Sequence, residues 1–209
     1  MSMQGTARAP SGRALTIALL AAAGALILWF IFTAAFQYAT YTQEAYGSYW
    51  PRRFALIPHI LGGVVAITTG LVQVWLGVTG RTRRLHILLG RVYLGAVTVG
   101  SLAGFYLALT TLGSLVFGSG LFFLCVAWVV TTAMAYMAVR NRAIEQHREW
   151  MLRSYVVTFA FVVFRLFTQW LIGQGVSPSE AAGLMSWASW AVPLLMLEPM
   201  LQYRRIRRR

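Results

Sequence analysis

The chain has 209 residues, of which 58% are hydrophobic and 11% charged. A soluble domain carries about 25% charged residues, so this composition excludes one and assigns an all-α, polytopic membrane protein built as a single bundle. The formal charge is +13 and every basic residue is arginine. Those arginines flank apolar runs, where membrane topology accounts for them, so nucleic acid is excluded as a partner.

Residues 1–13 are small and polar, and a disordered cytoplasmic segment is expected there. Residues 14–36 form the first apolar run. It is longer than a signal-peptide core of about 7–15 residues, so it reads as a retained span. Residues 37–52 read as a loop at the membrane interface, with Tyr38, Tyr41, Tyr46, Tyr49 and Trp50 supplying amphipathic rings. The second span is expected over 54–77, with Pro58 in its first turn. Its residues His59, Gly63, Ala66, Gly70, Gln73 and Gly77 share one face, small or polar throughout, suited to close helix packing.

A basic turn, 78–84, leads to a third span over 85–112 that begins near His86. A Gly/Ser turn precedes the fourth span, 119–139, which carries the only cysteine, Cys125, read as a buried core residue. Residues 140–149 are the most charged loop. The fifth span, 150–172, holds an arginine, Arg165, among Val, Phe, Leu and Trp. The sixth, 182–202, contains Pro193 and Pro199 as expected kinks, and a basic tail occupies 203–209. Six spans put both termini on one side. With that side cytoplasmic, 15 arginines lie inside and only Arg52 and Arg53 outside. The asymmetry predicts a multi-pass membrane protein with both termini in the cytoplasm.

His147 and Arg165 are about five turns apart at 3.6 residues per turn, so they share a helical face, with Met151, Ser154, Thr158 and Gln169 on or near it. An intramembrane arginine turns toward protein or water rather than lipid. Two roles stand for Arg165: structural glue to a neighbouring helix, with His59, Gln73 or Gln169 as partners, or a contact to an anion, a substrate head group or a quinone. The phenylalanines of this span (Phe159, Phe161, Phe164 and Phe167) read as lipid or packing surface. Glu198 lies near the inner end and is expected to pair with an arginine there.

His86 and His147 begin the third and fifth spans at one membrane level. Three roles stand for them. They are interfacial hydrogen-bonding residues, or the axial ligands of a b-type haem, or, with Glu145 or Glu149, ligands of a non-haem metal. For haem, Gly90 leaves room for a flat macrocycle, and Arg83 and Arg91 are candidate propionate contacts. No Walker loop, HExxH, nucleophile elbow or CxxC is present in a supporting context. Three function classes follow: a haem electron carrier or oxidoreductase passing electrons to a quinone or redox partner, a transporter or small-molecule-binding protein using the polar stripe, and a scaffold without chemistry.

Three blocks of residues are shared with a known family. They are His59-Ile60-x-Gly62-Gly63 with Gln73; Arg83-x-x-His86-x-x-x-Gly90-Arg91-Val92-Tyr93; and Glu145-x-His147-Arg148-x-Trp150-Met151-x-Arg153-Ser154-Tyr155 followed by Thr158-Phe159-Ala160 and Arg165. Over about residues 50–170 the chain resembles the bacterial predicted-membrane-protein family called domain of unknown function 2306. The resemblance implies a multi-span protein of a bacterial inner membrane and no particular activity. In architecture the chain is also similar to haem proteins of the cytochrome b-561 type, which pair histidines of the third and fifth spans on one side and of the second and fourth on the other. His86 and His147 match the first of these pairs. The fourth span here has no histidine, so the likeness implies at most one haem.

Overall fold

A computed structural model describes residues 12–80 and 82–207, and every regular element in that range is helical. The chain runs through α1 (Gly12–Phe30), a π-helical turn (Ile31–Ala35), a 3-10 turn (Phe36–Thr40), the short α2 (Gln43–Tyr46) and a second 3-10 turn (Gly47–Arg52). Then come α3 (Arg53–Thr79), α4 (Arg83–Leu109), α5 (Leu115–Arg140), α6 (Ile144–Gly173) and α7 (Pro178–Ile206). Six helices are long and apolar enough to cross a membrane, the first being Ala14–Thr40. This is a multi-pass, all-α membrane protein. The disordered segment expected over 1–13 falls, as far as residue 11, outside the described residues, as do Arg81, Arg208 and Arg209.

The helices begin and end on local signals. Ser114 and Ser177 accept hydrogen bonds from the amides of Phe117 and Glu180, capping α5 and α7, and Pro178 occupies the first turn of α7. Gly80 and Gly175, with φ of +66° and +89°, turn the chain after α3 and α6. The charged stretch read as a loop is mostly helix: only Asn141–Ala143 separates α5 from α6, and Glu145 to Glu149 form the first turns of α6. Their side chains reach water, α7 through Glu149 and α5 through His147. The expected tail is helical too, as far as Ile206. Pro58 lies more than a turn inside α3, whose start is earlier than expected, and Pro193 and Pro199 sit within an unbroken α7.

Packing is uneven. In lipid the hydrophobic effect between helices is absent, so close approach and hydrogen bonds hold the bundle. α3 packs along α4, while α5, α6 and α7 pack on one another. The central core joins Ala66, Tyr93, Val97, Leu124, Trp128, Val157 and Ala160. α1 leans lightly on α3 and α6: 6% of its most apolar stretch is buried, against 22–39% in the other spans, so it is a peripheral helix.

The small-residue face of α3 is offset from the expected one. Gly62, Ala66, Gly70 and Gln73 are buried, whereas nothing lies within 4 Å of where a Cβ would stand on Gly63 or Gly77. Residues 37–52 are not an open loop. Tyr38, Tyr41, Tyr46 and Trp50 stack edge to face. Arg52 donates to the carbonyls of Thr110 and Ser48, and Arg53 lies 4.4 Å over the Trp50 ring. The two arginines of this end therefore fasten a folded aromatic cap onto α3 and α4.

Candidate functional site

Beneath that cap, α1, α3 and α6 enclose a cavity of about 200 Å3. Its polar groups come from Gln37, Tyr38, Tyr49, His59 and Arg165, and its apolar wall includes Phe30, Ile60, Val64, Phe161 and Phe164. Phe161 and Phe164 are thus cavity lining, where packing or lipid surface was expected, while Phe167 is exposed.

The polar stripe of α6 does face inward, but its members separate by depth. Arg165 is half-buried on the cavity and has no hydrogen bond or ion pair among the described residues; Tyr38 lies within electrostatic reach of it. Gln169 is exposed. Ser154 and Thr158 are wholly buried in a hydroxyl network below the cavity. There Tyr93 Oη lies 2.7 Å from both Ser154 Oγ and Thr158 Oγ1, Trp128 Nε1 donates to Thr158 Oγ1 at 2.8 Å, and Thr132 meets Ser154 at 2.7 Å. This network joins α4, α5 and α6, and it takes Thr158 out of the binding stripe.

His59 is held in one orientation. Its Nδ1 is 2.8 Å from the carbonyl oxygen of Gly100, so Nδ1 carries the proton and Nε2 is left as an acceptor with no partner among the described residues. The ring meets Phe161 edge to face. A Cβ on Gly104 would come within 3.2 Å of the imidazole and 2.9 Å of Cys125 Sγ, so glycine there makes room for the ring. Gln73, expected near Arg165, points elsewhere: it is buried, and its Nε2 donates to the carbonyl of His86 at 2.6 Å.

His86 and His147 lie at the arginine-rich end, within electrostatic reach of each other. Nδ1 of His147 is 2.9 Å from the carbonyl of Ala135 and donates to it. Nδ1 of His86 is buried without a hydrogen bond among the described residues. Both features suit imidazoles that bind a metal, whose far nitrogen is commonly tied to a carbonyl. Beside Gly90, where a macrocycle would lie, the Gln73 amide is the one neighbour, with Nε2 3.3 Å from where a Cβ would stand. Arg83 and Arg91, the candidate propionate contacts, are exposed. Glu149 pairs with Arg205 and lies 3.9 Å from Arg153, and no group of three His, Cys, Asp or Glu fit to hold a metal occurs among the described residues. The surroundings therefore do not fit a two-histidine, one-carboxylate site.

Sequence reasoning missed Tyr38, Tyr49 and Gln37 as cavity residues, and Trp128, Thr132 and Tyr93 as members of the network. Aromatic clustering before α3 was the one signal for the first group. For the second, the Ser154–Thr158 spacing marked the α6 half, and nothing along α5 marked its partners.

A family model described as predicted membrane protein (DUF2306) matches residues 56–201. No curated protein and no solved structure matches the chain. The matched stretch covers α4 to α7 apart from the last residues of α7, together with most of α3, and so includes His59, His86, His147 and Arg165, but not α1 or the aromatic cap.

Proposed function

The chain belongs to the DUF2306 family of predicted membrane proteins, and we propose that it binds or transports an amphiphilic small molecule whose head group is anionic or rich in hydrogen-bond acceptors. The observation that carries this reading is Arg165, half-buried on a cavity without a partner among the described residues. A charged side chain within a span costs about 2.5–3.5 kcal/mol on insertion scales, and such residues pair or mark a ligand path. Tyr38 and Tyr49 line the same cavity with hydroxyls that can donate to such a head group, and the phenylalanine wall suits an apolar body. The lightly packed α1 supplies a side entrance from the bilayer, with its π-helical turn at the cavity wall.

Binding to the purified protein in nanodiscs tests this, with a long-chain fatty acid and the alcohol of equal length as probes. The acid binds about ten-fold or more tightly than the alcohol, and Arg165→Gln removes the difference without loss of folding. Equal binding of the two probes, or a preference that survives Arg165→Gln, defeats the proposal.

A second reading, a b-type haem between His86 and His147, rests on the buried Nδ1 of His86, which has no hydrogen bond among the described residues, and on the electrostatic reach between the two imidazoles. The exposure of Arg83 and Arg91 and the Gln73 amide beside Gly90 count against it. An absorbance spectrum of protein expressed with added haem decides it: a Soret band lost in His86→Ala and His147→Ala but kept in His59→Ala supports haem, and its absence from the unaltered protein rules haem out.

A further inference from the structure

At the arginine-rich end, α6 and α7 border a groove of about 450 Å3, several turns along α6 from the Arg165 cavity. Its apolar floor includes Leu152 and the buried Leu201. The acids nearby are mostly neutralised. Glu149 takes two nitrogens of Arg205 and has Arg153 at 3.9 Å, while Glu198, just outside the groove, is held by Arg153 at 2.7 Å and by Gln202 at 2.8 Å. Arg153 is itself braced 4.6 Å over the Trp150 ring. Arg148 and Arg204 open on the same groove, exposed and with no hydrogen bond or ion pair among the described residues. Glu145, the other carboxylate of the lining, lies within electrostatic reach of Arg205, and arginines outnumber acids along the lining.

We propose that this groove binds a phosphate oxyanion, supplied by the head group of an anionic phospholipid. Two guanidinium groups without carboxylate partners match the planar, bidentate recognition of phosphate. Basic pockets between spanning helices suit phosphate head groups, and an apolar floor suits the glycerol and the first methylenes of the chains. The ion pairs Arg205–Glu149 and Arg153–Glu198 hold α6 and α7 in register and so fix the spacing of the two free arginines. The groove shares no residue with the Arg165 cavity and stands whether or not that cavity binds an amphiphile.

The full-length protein in detergent is titrated with phosphatidylglycerol, with phosphatidylcholine and with inorganic phosphate, and bound adducts are read by native mass spectrometry. Phosphatidylglycerol is retained about ten-fold more tightly than phosphatidylcholine. The pair Arg148→Gln/Arg204→Gln removes that preference. The pair Arg140→Gln/Arg142→Gln, an equal charge loss at the same end but outside the groove, leaves it intact. Arg148→Lys, which keeps the charge but not the planar fork, weakens binding less than Arg148→Gln and serves where the double variant is poorly folded. Inorganic phosphate that binds in place of the lipid, with the same sensitivity to Arg148 and Arg204, overturns the lipid as source. Equal retention of the two lipids, or equal weakening by the two double variants, overturns the site.

Discussion

A Cβ on Gly62 would stand 2.8 Å from the carbonyl oxygen of Ala96 and from the amide nitrogen of Gly100, both backbone atoms that move only if α3 and α4 part. Gly62→Ala is therefore an overpacking change, and a loss of about 1–3 kcal/mol is expected. Gly77→Ala, with open space at the same test, gains up to about 1 kcal/mol from helix propensity. Thermal unfolding in one detergent compares the two, and equal shifts would contradict the close approach. The sequence placed Gly63 rather than Gly62 on the packing face for a simple reason. At about 100° per residue the two flank His59 on either side, and only the position of α4 chooses between them. The hydroxyl network gives a second residue-scale test. Thr158→Val keeps the shape but leaves Trp128 Nε1 without an acceptor and takes one of two partners from the Tyr93 hydroxyl. The cost is about 1–3 kcal/mol, relieved in part by adding Trp128→Phe, a non-additivity that a double-mutant cycle reads directly.

Each helix was legible as an apolar run, but its local irregularities were not. The stretch 14–36 announces a span; nothing in Ile31–Ala35, which lacks proline and glycine, announces a π-helical turn. That turn arises where α1 meets the cavity, against side chains of α3 and α6 that the local sequence does not contain. It predicts a difference in hydrogen exchange. The amides of 31–35 exchange well ahead of those of 62–70, which lie in the most closely packed part of α3. Equal protection of the two segments would argue against α1 as a side entrance. In α6 the error ran the other way: charge was read as loop, although glutamate and arginine are good helix formers and their heads reach solvent or α7.

For the whole molecule, hydropathy predicted the number of spans because each crossing needs about 20 apolar residues and shows it in one dimension. Which helices touch was not legible. The contact of α5 with α7, where Gly120 admits Ser186, depends on residues more than sixty positions apart. The orientation is a separate physical statement, resting on arginine asymmetry alone. The lone cysteine makes it testable: Cys125 is buried, so Cys125→Ala provides a thiol-free background. In that background Ser179→Cys lies in the turn opening α7, and Leu112→Cys lies between α4 and α5. Asn141→Cys lies between α5 and α6, at the arginine-rich end. A membrane-impermeant maleimide added to intact cells labels the first two and not the third, and lysis makes all three reactive. Labelling of Asn141→Cys in intact cells would invert the protein. It would place the Arg165 cavity toward the cytoplasm and the phosphate groove on the opposite leaflet, so the same experiment fixes the side from which each site is supplied.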